Sequence, residues 1–250
     1  MTDPKSADPK SAAASASRAL ARVEESTRHL LHTAAELKPQ ALAEPSALPG
    51  WTRGHVLAHL ARNADSLVNL LTGARTGTDI PQYATHEARD ADIERDAPRP
   101  LDVQLADLRD SHERFLAAAA RMTDEAWTAT VRHRFGYVFP ACDIPAKRVV
   151  ELEFHHVDLD AGYTPAHWPE EFAAAQFRRI SGGLAGAADL PAVELVSDDT
   201  ADRAVIGSGE VSLTVEGPLR ALTAWLSGRS TGDGLRHAPD TDLPPLPPMG

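Results

Sequence analysis

The sequence predicts a mainly α fold, in which a four-helix bundle is followed by a small C-terminal α+β domain. Four stretches in the first two thirds of the chain repeat apolar residues at the helical period, and polar connections separate them. Further on, the segments VELVS, RAVIG and VSLTVEG alternate apolar and polar residues as short strands do. We therefore expect a helical bundle over residues 18–165 and an α+β domain over residues 166–238.

The first two bundle helices show clear apolar stripes. Residues 18–38 interleave leucine and valine with charged side chains, as in an amphipathic helix. Thr52 is a suitable N-cap for a second helix that runs to about Leu71. His59 borders the apolar face of this second helix, so it lies at the edge of the surface that the bundle is expected to bury.

The helical pattern is interrupted before two further helices. The stretch 74–100 is polar and is expected to form a long loop, of a length that is often functional in compact domains. A third helix opens at Pro100 and keeps its apolar period to Met122. After an irregular or locally extended stretch over 126–142, a fourth helix starts at Asp143 and completes the bundle.

The remaining segments form the C-terminal domain and two tails. Helices are predicted over 169–184 and 218–226, and strands over 193–197, 203–207 and 211–217. Residues 1–17 contain the pentad DPKSA twice and are expected to be disordered. Residues 239–250 are a proline-rich tail that cannot extend a helix or a central strand.

Composition and charge restrict the kinds of partner. The formal net charge of −11 disfavours nucleic acid and anionic membranes. No apolar run approaches the roughly 20 residues of a membrane span, and the N-terminus lacks the pattern of a secretory signal. The single cysteine, Cys142, cannot form an internal disulfide and is expected to be inert. We expect a cytoplasmic protein, and the sequence leaves its oligomeric state open.

Two histidines and one glutamate are candidate metal ligands. Glu151 and His155 are spaced i, i+4, so both side chains leave one helical face, and His59 lies on a different bundle helix. Two imidazoles and one carboxylate suit a divalent ion such as zinc and leave one coordination position open for chemistry. The residues alone leave two alternatives: a solvated helical pair, and His55 in place of His59. Asp158 is either an acceptor that orients an imidazole or a solvated carboxylate.

Three segments carry a resemblance to a known family. In order, SALPGWTRGHVLAHLARNADSL, PQYATHEARDADIE and RVVELEFHHVDLDAGY resemble the mycothiol-dependent maleylpyruvate isomerases, members of the DinB-like superfamily of metal-binding four-helix bundles. The resemblance continues through LTAWLSGRSTGDGL and covers nearly the whole chain between the two tails. It implies that Zn²⁺, or another divalent metal, is held by His59, Glu151 and His155, and so favours His59 over His55.

The resemblance also implies a reaction and its partners, a small dicarboxylate substrate and the low-molecular-weight thiol mycothiol. A thiolate adds to the cis double bond of maleylpyruvate, the resulting single bond rotates, and elimination gives fumarylpyruvate, a step of gentisate degradation. Arg89 and Arg229 lie in the similar segments. Because bidentate arginine suits carboxylates, we predict that both bind the substrate or stabilise an enolate, with the C-terminal segment closing over the bundle to supply Arg229. The alternative for each is a solvated surface arginine.

Two other functions remain open at this point. The same metal and thiol could serve a mycothiol S-transferase that acts on another electrophile, and a non-catalytic metal-binding bundle would need no substrate at all. Tyr83 and His86 share the predicted loop with Arg89 and are candidates to line a pocket. Trp51 is expected to be a structural plug at the start of its helix.

Overall fold

The first helix begins inside the second DPKSA repeat. The structure is a computed structural model that describes residues 8–247. Helix α1 (Pro9–Ala35) starts with Pro9 at its first position, and the carboxylate of Asp8 accepts a hydrogen bond from the main-chain N–H of Ser11. Capping and an alanine-rich first half favour helix. The prediction of disorder is therefore wrong for residues 8–17, and residues 1–7 lie outside the described part.

The chain divides into two units, Met1–Tyr163 and Thr164–Gly250, so the boundary falls two residues before the predicted one. The mainly α fold class is confirmed. Residues 8–247 contain seven α-helices: α1, α2 (Arg53–Thr76), α3 (His86–Asp96), α4 (Leu101–Ala119), α5 (Ile144–Asp158), α6 (Glu170–Leu184) and α7 (Leu219–Leu226).

Four long helices build the bundle of the first unit. Helix α2 packs against α4 and α5, and α1 packs against the same two helices. The buried side of α2 includes Val56, Leu60 and Leu67, and that of α5 includes Val149 and Leu152. These apolar faces form a shared core, because each helix buries one stripe against its neighbours.

Helix α3 lies within the stretch that the sequence analysis treats as a long loop. The hydroxyl of Thr85 caps the helix by accepting from the main-chain N–H of Ala88, and only Ile93 and Asp96 within it are buried. With so few apolar residues, no periodic stripe marks the helix in the sequence. The prediction of a loop over residues 74–100 is thus wrong for His86–Asp96.

A close approach sets the position of α3 on α2. Gly54 on α2 faces the main-chain oxygen of Ala97, the residue that follows α3, and an added Cβ would lie 2.2 Å from that oxygen. The same oxygen accepts a hydrogen bond of 2.8 Å from the side chain of Gln104 on α4. On α2, Arg62 also pairs with Asp96 at the end of α3 and with Asp107 on α4. Three helices are thereby fixed to one another.

The connection between α4 and α5 contains a short antiparallel hairpin. Strands β1 (Thr130–Arg132) and β2 (Val138–Pro140) pair, and a 3-10 turn over Ala141–Asp143 leads directly into α5. Because Pro145 lies in the first turn of α5, where its missing N–H is not needed, the helix can start immediately after the hairpin. The extended stretch expected over 126–142 takes this form.

The second unit combines helices α6 and α7 with a four-stranded sheet. Its strands are β3 (Pro191–Ser197), β4 (Arg203–Ile206), β5 (Ser208–Gly217) and β6 (Arg236–Ala238), in the order β4-β3-β5-β6. Strands β3 and β5 are parallel, and the other pairs are antiparallel. The short edge strand β6 was not predicted. Among the described residues, none of the helices has the length and apolar character needed to cross a membrane.

We expect Gly54→Ala to lower the free energy of unfolding of the protein by roughly 1–3 kcal/mol, because the new methyl group meets main-chain atoms that have no room to yield. Urea unfolding followed by circular dichroism measures the change. The control is Gly182→Ala in α6, where a Cβ meets nothing within 4 Å and the better helix former is expected to be neutral or stabilising. Equal unfolding of wild type and Gly54→Ala would contradict the prediction.

Candidate metal centre

The three residues predicted as metal ligands lie together inside the bundle of the first unit. Ligand atoms of His59 on α2 and of Glu151 and His155 on α5 are all within 4.8 Å of one another. The Oε2 atom of Glu151 is 2.9 Å from Nε2 of His59 and 3.4 Å from Nε2 of His155. Within residues 8–247, no other group of three histidine, cysteine or acidic side chains meets in this way.

The donor set fits a divalent ion in its chemistry. Two neutral imidazoles and one carboxylate are ligands that zinc accepts, and three protein ligands are typical of sites that keep a position for substrate. The Nδ1 atom of His155 lies 2.8 Å from the carboxylate of Asp158, one turn further along α5. A carboxylate behind a ligating imidazole fixes its orientation and raises its basicity. Asp158 therefore occupies the position of the orienting acceptor rather than that of a solvated side chain.

His59 is held in its neutral form. Burial lowers its pKa to about 4, and the hydrogen bond to Glu151 offsets only part of that effect. A guanidinium nitrogen of Arg89 lies 3.1 Å from Nδ1 of His59. Since a guanidinium can only donate, Nδ1 accepts this hydrogen bond and Nε2 carries the proton toward Glu151. Near neutral pH the ring is thus an uncharged side chain that needs no deprotonation before it can bind a metal.

The pKa values of Glu151 and His155 are shifted in the direction opposite to the one that burial alone produces. Burial raises the pKa of Glu151, but hydrogen bonds from His155 and His59 outweigh it and leave the pKa well below the ordinary value. Burial lowers the pKa of His155, and the hydrogen bonds to Asp158 and Glu151 outweigh it, so this pKa is raised. The carboxylate is ionised, and His155 keeps its proton to a higher pH than a free histidine.

His55, the alternative ligand, is turned away from the donor set. Its Nδ1 accepts from the main-chain N–H of Thr52 at 3.2 Å, and its Nε2 lies 3.3 Å from the carboxylate of Glu94. It forms a capping box at the start of α2 with Thr52. The ring of Trp51 lies 5.5 Å from that of His59 and 6.2 Å from that of His55. Trp51 therefore packs on a candidate ligand as well as on the helix start.

Two adjoining cavities lie next to the donor set. The inner cavity, about 50 Å³ in volume, is lined by His59 and Glu151 and by three cations, Arg89, Arg134 and Lys147. The outer cavity, about 440 Å³, is bounded by the segment before α3 and by the β1–β2 hairpin, and it shares lining residues such as Tyr83 with the inner one.

Part of this lining is predicted by the sequence, and the rest is not. Tyr83 lines both cavities and His86 lines the outer one, as suggested from their position near Arg89. Arg134 and Lys147 were not predicted. Lys147 has a recognisable signal, because it precedes Glu151 by four residues and so shares its helical face. Arg134 has none, since it lies in the turn of a hairpin without periodicity.

The two remaining residues lie elsewhere in the chain. Arg229 belongs to the second unit, just after α7, where its guanidinium donates to the main-chain oxygen of Ser227 at 2.7 Å. Its role toward the substrate stays a prediction. Cys142 precedes α5, and burial together with the nearby carboxylate of Asp143 raises the pKa of its thiol. The thiol is therefore protonated at neutral pH, which agrees with the expectation that it is inert.

Fold and site together define a class of protein: a helical bundle that presents a His, Glu, His donor set to a cavity lined by cations. The family described as mycothiol maleylpyruvate isomerase N-terminal domain matches residues 8–160, more than half of the chain. The chain belongs to this family. The match ends near the boundary between the two units.

Solved structures extend the likeness to both units. A crystal structure of the mycothiol-dependent maleylpyruvate isomerase is similar with a TM-score of 0.86 and 27% sequence identity, over 93% of this chain and 96% of that chain. A crystal structure of a histidine-to-alanine mutant of that isomerase matches with the same values. A search of curated proteins finds no significant match.

We expect His59→Ala and Glu151→Gln each to reduce zinc bound to the purified protein at least tenfold, because each removes one of three donors. The matched control is His55→Ala, which removes an imidazole one helical turn away that pairs with Glu94 instead. Atomic absorption after dialysis against a fixed free zinc concentration measures the content. Full zinc retention by His59→Ala, or its loss from His55→Ala, would contradict the assignment.

Zinc binding should weaken as the pH falls through the raised pKa of His155, since below that pKa a proton must leave the ring before the metal can bind. Each pH unit below it costs about a factor of ten in affinity. Calorimetric titration in buffers of different ionisation enthalpy counts the released protons. Asp158→Asn removes a partner that raises this pKa, so its pH dependence should move to lower pH. A profile that is the same for both proteins would argue against the pairing of His155 with Asp158.

Proposed function

We propose that the protein catalyses the mycothiol-dependent cis–trans isomerisation of maleylpyruvate to fumarylpyruvate, with a divalent metal, zinc, held by His59, Glu151 and His155. The observation that carries the proposal is the convergence of these three donors, in a chain of this family, on a cavity lined by cations. The similar solved structures bear the name of that isomerase and cover nearly the whole chain. The substrate is a dianion, which suits the charge of the cavity.

Each donor contributes a defined property to the site. When bound, the metal supplies Lewis acidity, which lowers the pKa of a thiol at its open position. Glu151 is ionised and offsets part of the positive charge. The carboxylate of Asp158 lies 2.8 Å from Nδ1 of His155 and forms an ion pair with the protonated ring. His59 is neutral near pH 7, so it binds without a change of charge.

Arg89 and Arg229 are proposed to act on the substrate. The guanidinium of Arg89 reaches the donor set, 3.1 Å from the ring of His59, so it lies where negative charge would develop on a bound enone. It also pairs with the exposed carboxylate of Asp90 and lies 5.9 Å from the ring centre of Tyr83. Arg229 is proposed as a second carboxylate ligand on the grounds of the family resemblance. Arg89 would then stabilise the developing enolate, and Arg229 would hold one carboxylate while the central bond of the substrate turns.

The biological setting follows from the substrate. Maleylpyruvate arises by ring cleavage of gentisate, so we propose a role in gentisate degradation, in the cytoplasm. Genes for a gentisate dioxygenase and a fumarylpyruvate hydrolase beside the coding sequence would support this setting.

The decisive experiment incubates the zinc-loaded full-length protein with mycothiol and maleylpyruvate, and follows the absorbance of the cis-enone together with proton NMR of the product. We expect conversion to the trans isomer that requires both thiol and metal and consumes no net thiol. Loss of thiol with formation of a stable conjugate, but without isomerisation, would replace the proposal with an S-transferase. Absence of both zinc binding and thiol-dependent turnover would leave a non-catalytic bundle.

Arg229→Met should keep its zinc content and lose at least tenfold in kcat/KM for maleylpyruvate, because one charge-assisted contact to the dianion is removed. The matched control in the same unit is Arg236→Met, which loses an exposed arginine that pairs with Asp198. Steady-state kinetics at saturating mycothiol make the comparison. Equal kinetics for wild type and Arg229→Met would remove this residue from the site.

A further inference from the structure

The inner cavity carries more positive charge than its own side chains neutralise. Three cations, Arg89, Arg134 and Lys147, line it, and Glu151 is the single carboxylate in the lining. That carboxylate is already paired with both histidines of the donor set. The chain as a whole has a net charge of −11, so this local excess of cations runs against the average composition. A concave surface of one charge sign concentrates ligands of the other.

Arg134 is held at the cavity by contacts that supply no negative charge. Its main-chain N–H donates to the side-chain oxygen of Gln82 at 2.7 Å. Its guanidinium lies 4.0 Å from the ring centre of Phe135, and one of its nitrogens is 3.3 Å from Nδ1 of His86. Burial and then the charge of Arg89 lower the pKa of Arg134, as crowded cations do. These contacts hold the side chain of Arg134 in place but leave its positive charge without a counterion.

Lys147, which lines the same cavity, likewise has no negatively charged partner within residues 8–247. Its Nζ atom donates to the hydroxyl of Tyr137 at 3.3 Å and lies 4.5 Å from the ring centre of Phe139. In the part of the chain that the structure describes, no carboxylate oxygen lies within 4.0 Å of the cationic nitrogens of Lys147 or Arg134. Two cations thus line one cavity and have aromatic and neutral partners in place of counterions.

A deeper cation adds to the positive potential. Arg148 on α5 is 1% exposed, and its guanidinium donates to the side-chain oxygen of Asn63 at 2.8 Å, while Asn63 itself lines the inner cavity. The Nε atom of Arg148 has no hydrogen-bond partner among the described residues. Burial lowers its pKa to about 10, so it remains charged at neutral pH. A buried, uncompensated cation behind the wall favours an anion in front of it.

We propose that Arg134 and Lys147 form a carboxylate-binding pair that takes one carboxylate of the substrate into the inner cavity. This inference rests on the proposed function for the identity of the substrate, a small dicarboxylate. The cavity volume of about 50 Å³ suits one small planar group and not a whole dicarboxylate. The remainder of the substrate extends into the outer cavity, which Arg134 also lines. A guanidinium with two parallel N–H groups and a compact ammonium together satisfy both carboxylate oxygens.

The test uses maleate, a cis-dicarboxylate that needs no thiol, and the full-length protein as purified. Calorimetry gives the Kd for maleate, and steady-state kinetics give KM for maleylpyruvate. We expect Arg134→Met and Lys147→Met each to raise both values about 10- to 100-fold with unchanged zinc content. Arg134→Lys and Lys147→Arg keep the charge and should recover part of the affinity. The control, Arg109→Met, removes an exposed arginine of α4 that lines neither cavity.

The outcomes separate this inference from the proposed function. Turnover of maleylpyruvate by wild type, with KM unchanged in Arg134→Met and Lys147→Met, would overturn the carboxylate pair and leave the isomerase intact. Maleate binding that depends on both residues, without turnover by wild type, would support the pair and reject the isomerase. Failure of wild type to bind maleate overturns the pair in either case.

Discussion

The carboxylate of Glu151 holds two imidazoles from two different helices, and the arrangement of the site depends on this contact. The side chain of Glu151 is 33% exposed, so its carboxylate loses part of its hydration, and pairing together with hydrogen bonds offsets that loss. His59 and His155 provide both, at 2.9 and 3.4 Å from the same oxygen. Because His59 comes from α2 whereas Glu151 and His155 come from α5, the pairing links these two helices at the site. The donors are therefore oriented by the bundle before any ligand arrives.

The donor set is nearly neutral, whereas the cavity beside it is lined by positively charged side chains. The donor set itself is close to balanced, with an ionised carboxylate, a neutral histidine and a histidine of raised pKa. The surrounding cations come from three separate elements: α3, the β1–β2 hairpin and α5. Since Gly54 and the ion pairs of Arg62 fix α3 against α2 and α4, the position of Arg89 depends on packing well away from the cavity. The positive charge that would bind an anion is thus carried by residues other than the candidate metal ligands.

One pair of the donor set was predictable from sequence because its geometry is local. Glu151 and His155 share a face by helical spacing alone, and His59 borders an apolar stripe on a helix with a recognisable cap. The family resemblance favours His59 over His55 as the metal ligand. The structure gives a physical reason for this choice, because His55 contacts Thr52 and Glu94 instead.

Other parts of the structure depend on contacts that sequence reasoning did not capture. Helix α3 buries too few apolar residues to leave a periodic signal, although Thr85 caps it. Arg134 reaches the cavity through the tertiary placement of a hairpin, which no spacing rule describes. The start of α1 was missed for a different reason. The pair Asp8 and Pro9 is a helix-start signal, but repetition of the pentad favoured an interpretation as low-complexity sequence.

The hydrogen bond between Arg89 and His59 has a consequence for how the site is filled. A neutral imidazole has a single lone pair, and in this arrangement Nδ1 uses it to accept from Arg89. Coordination through Nδ1 would take that lone pair, and coordination through Nε2 would move the ring proton onto Nδ1, where it opposes the guanidinium. Whichever nitrogen coordinates the metal, His59 cannot also accept the hydrogen bond from Arg89. Occupation of the donor set by a metal would therefore release Arg89 and make this arginine available to a second ligand.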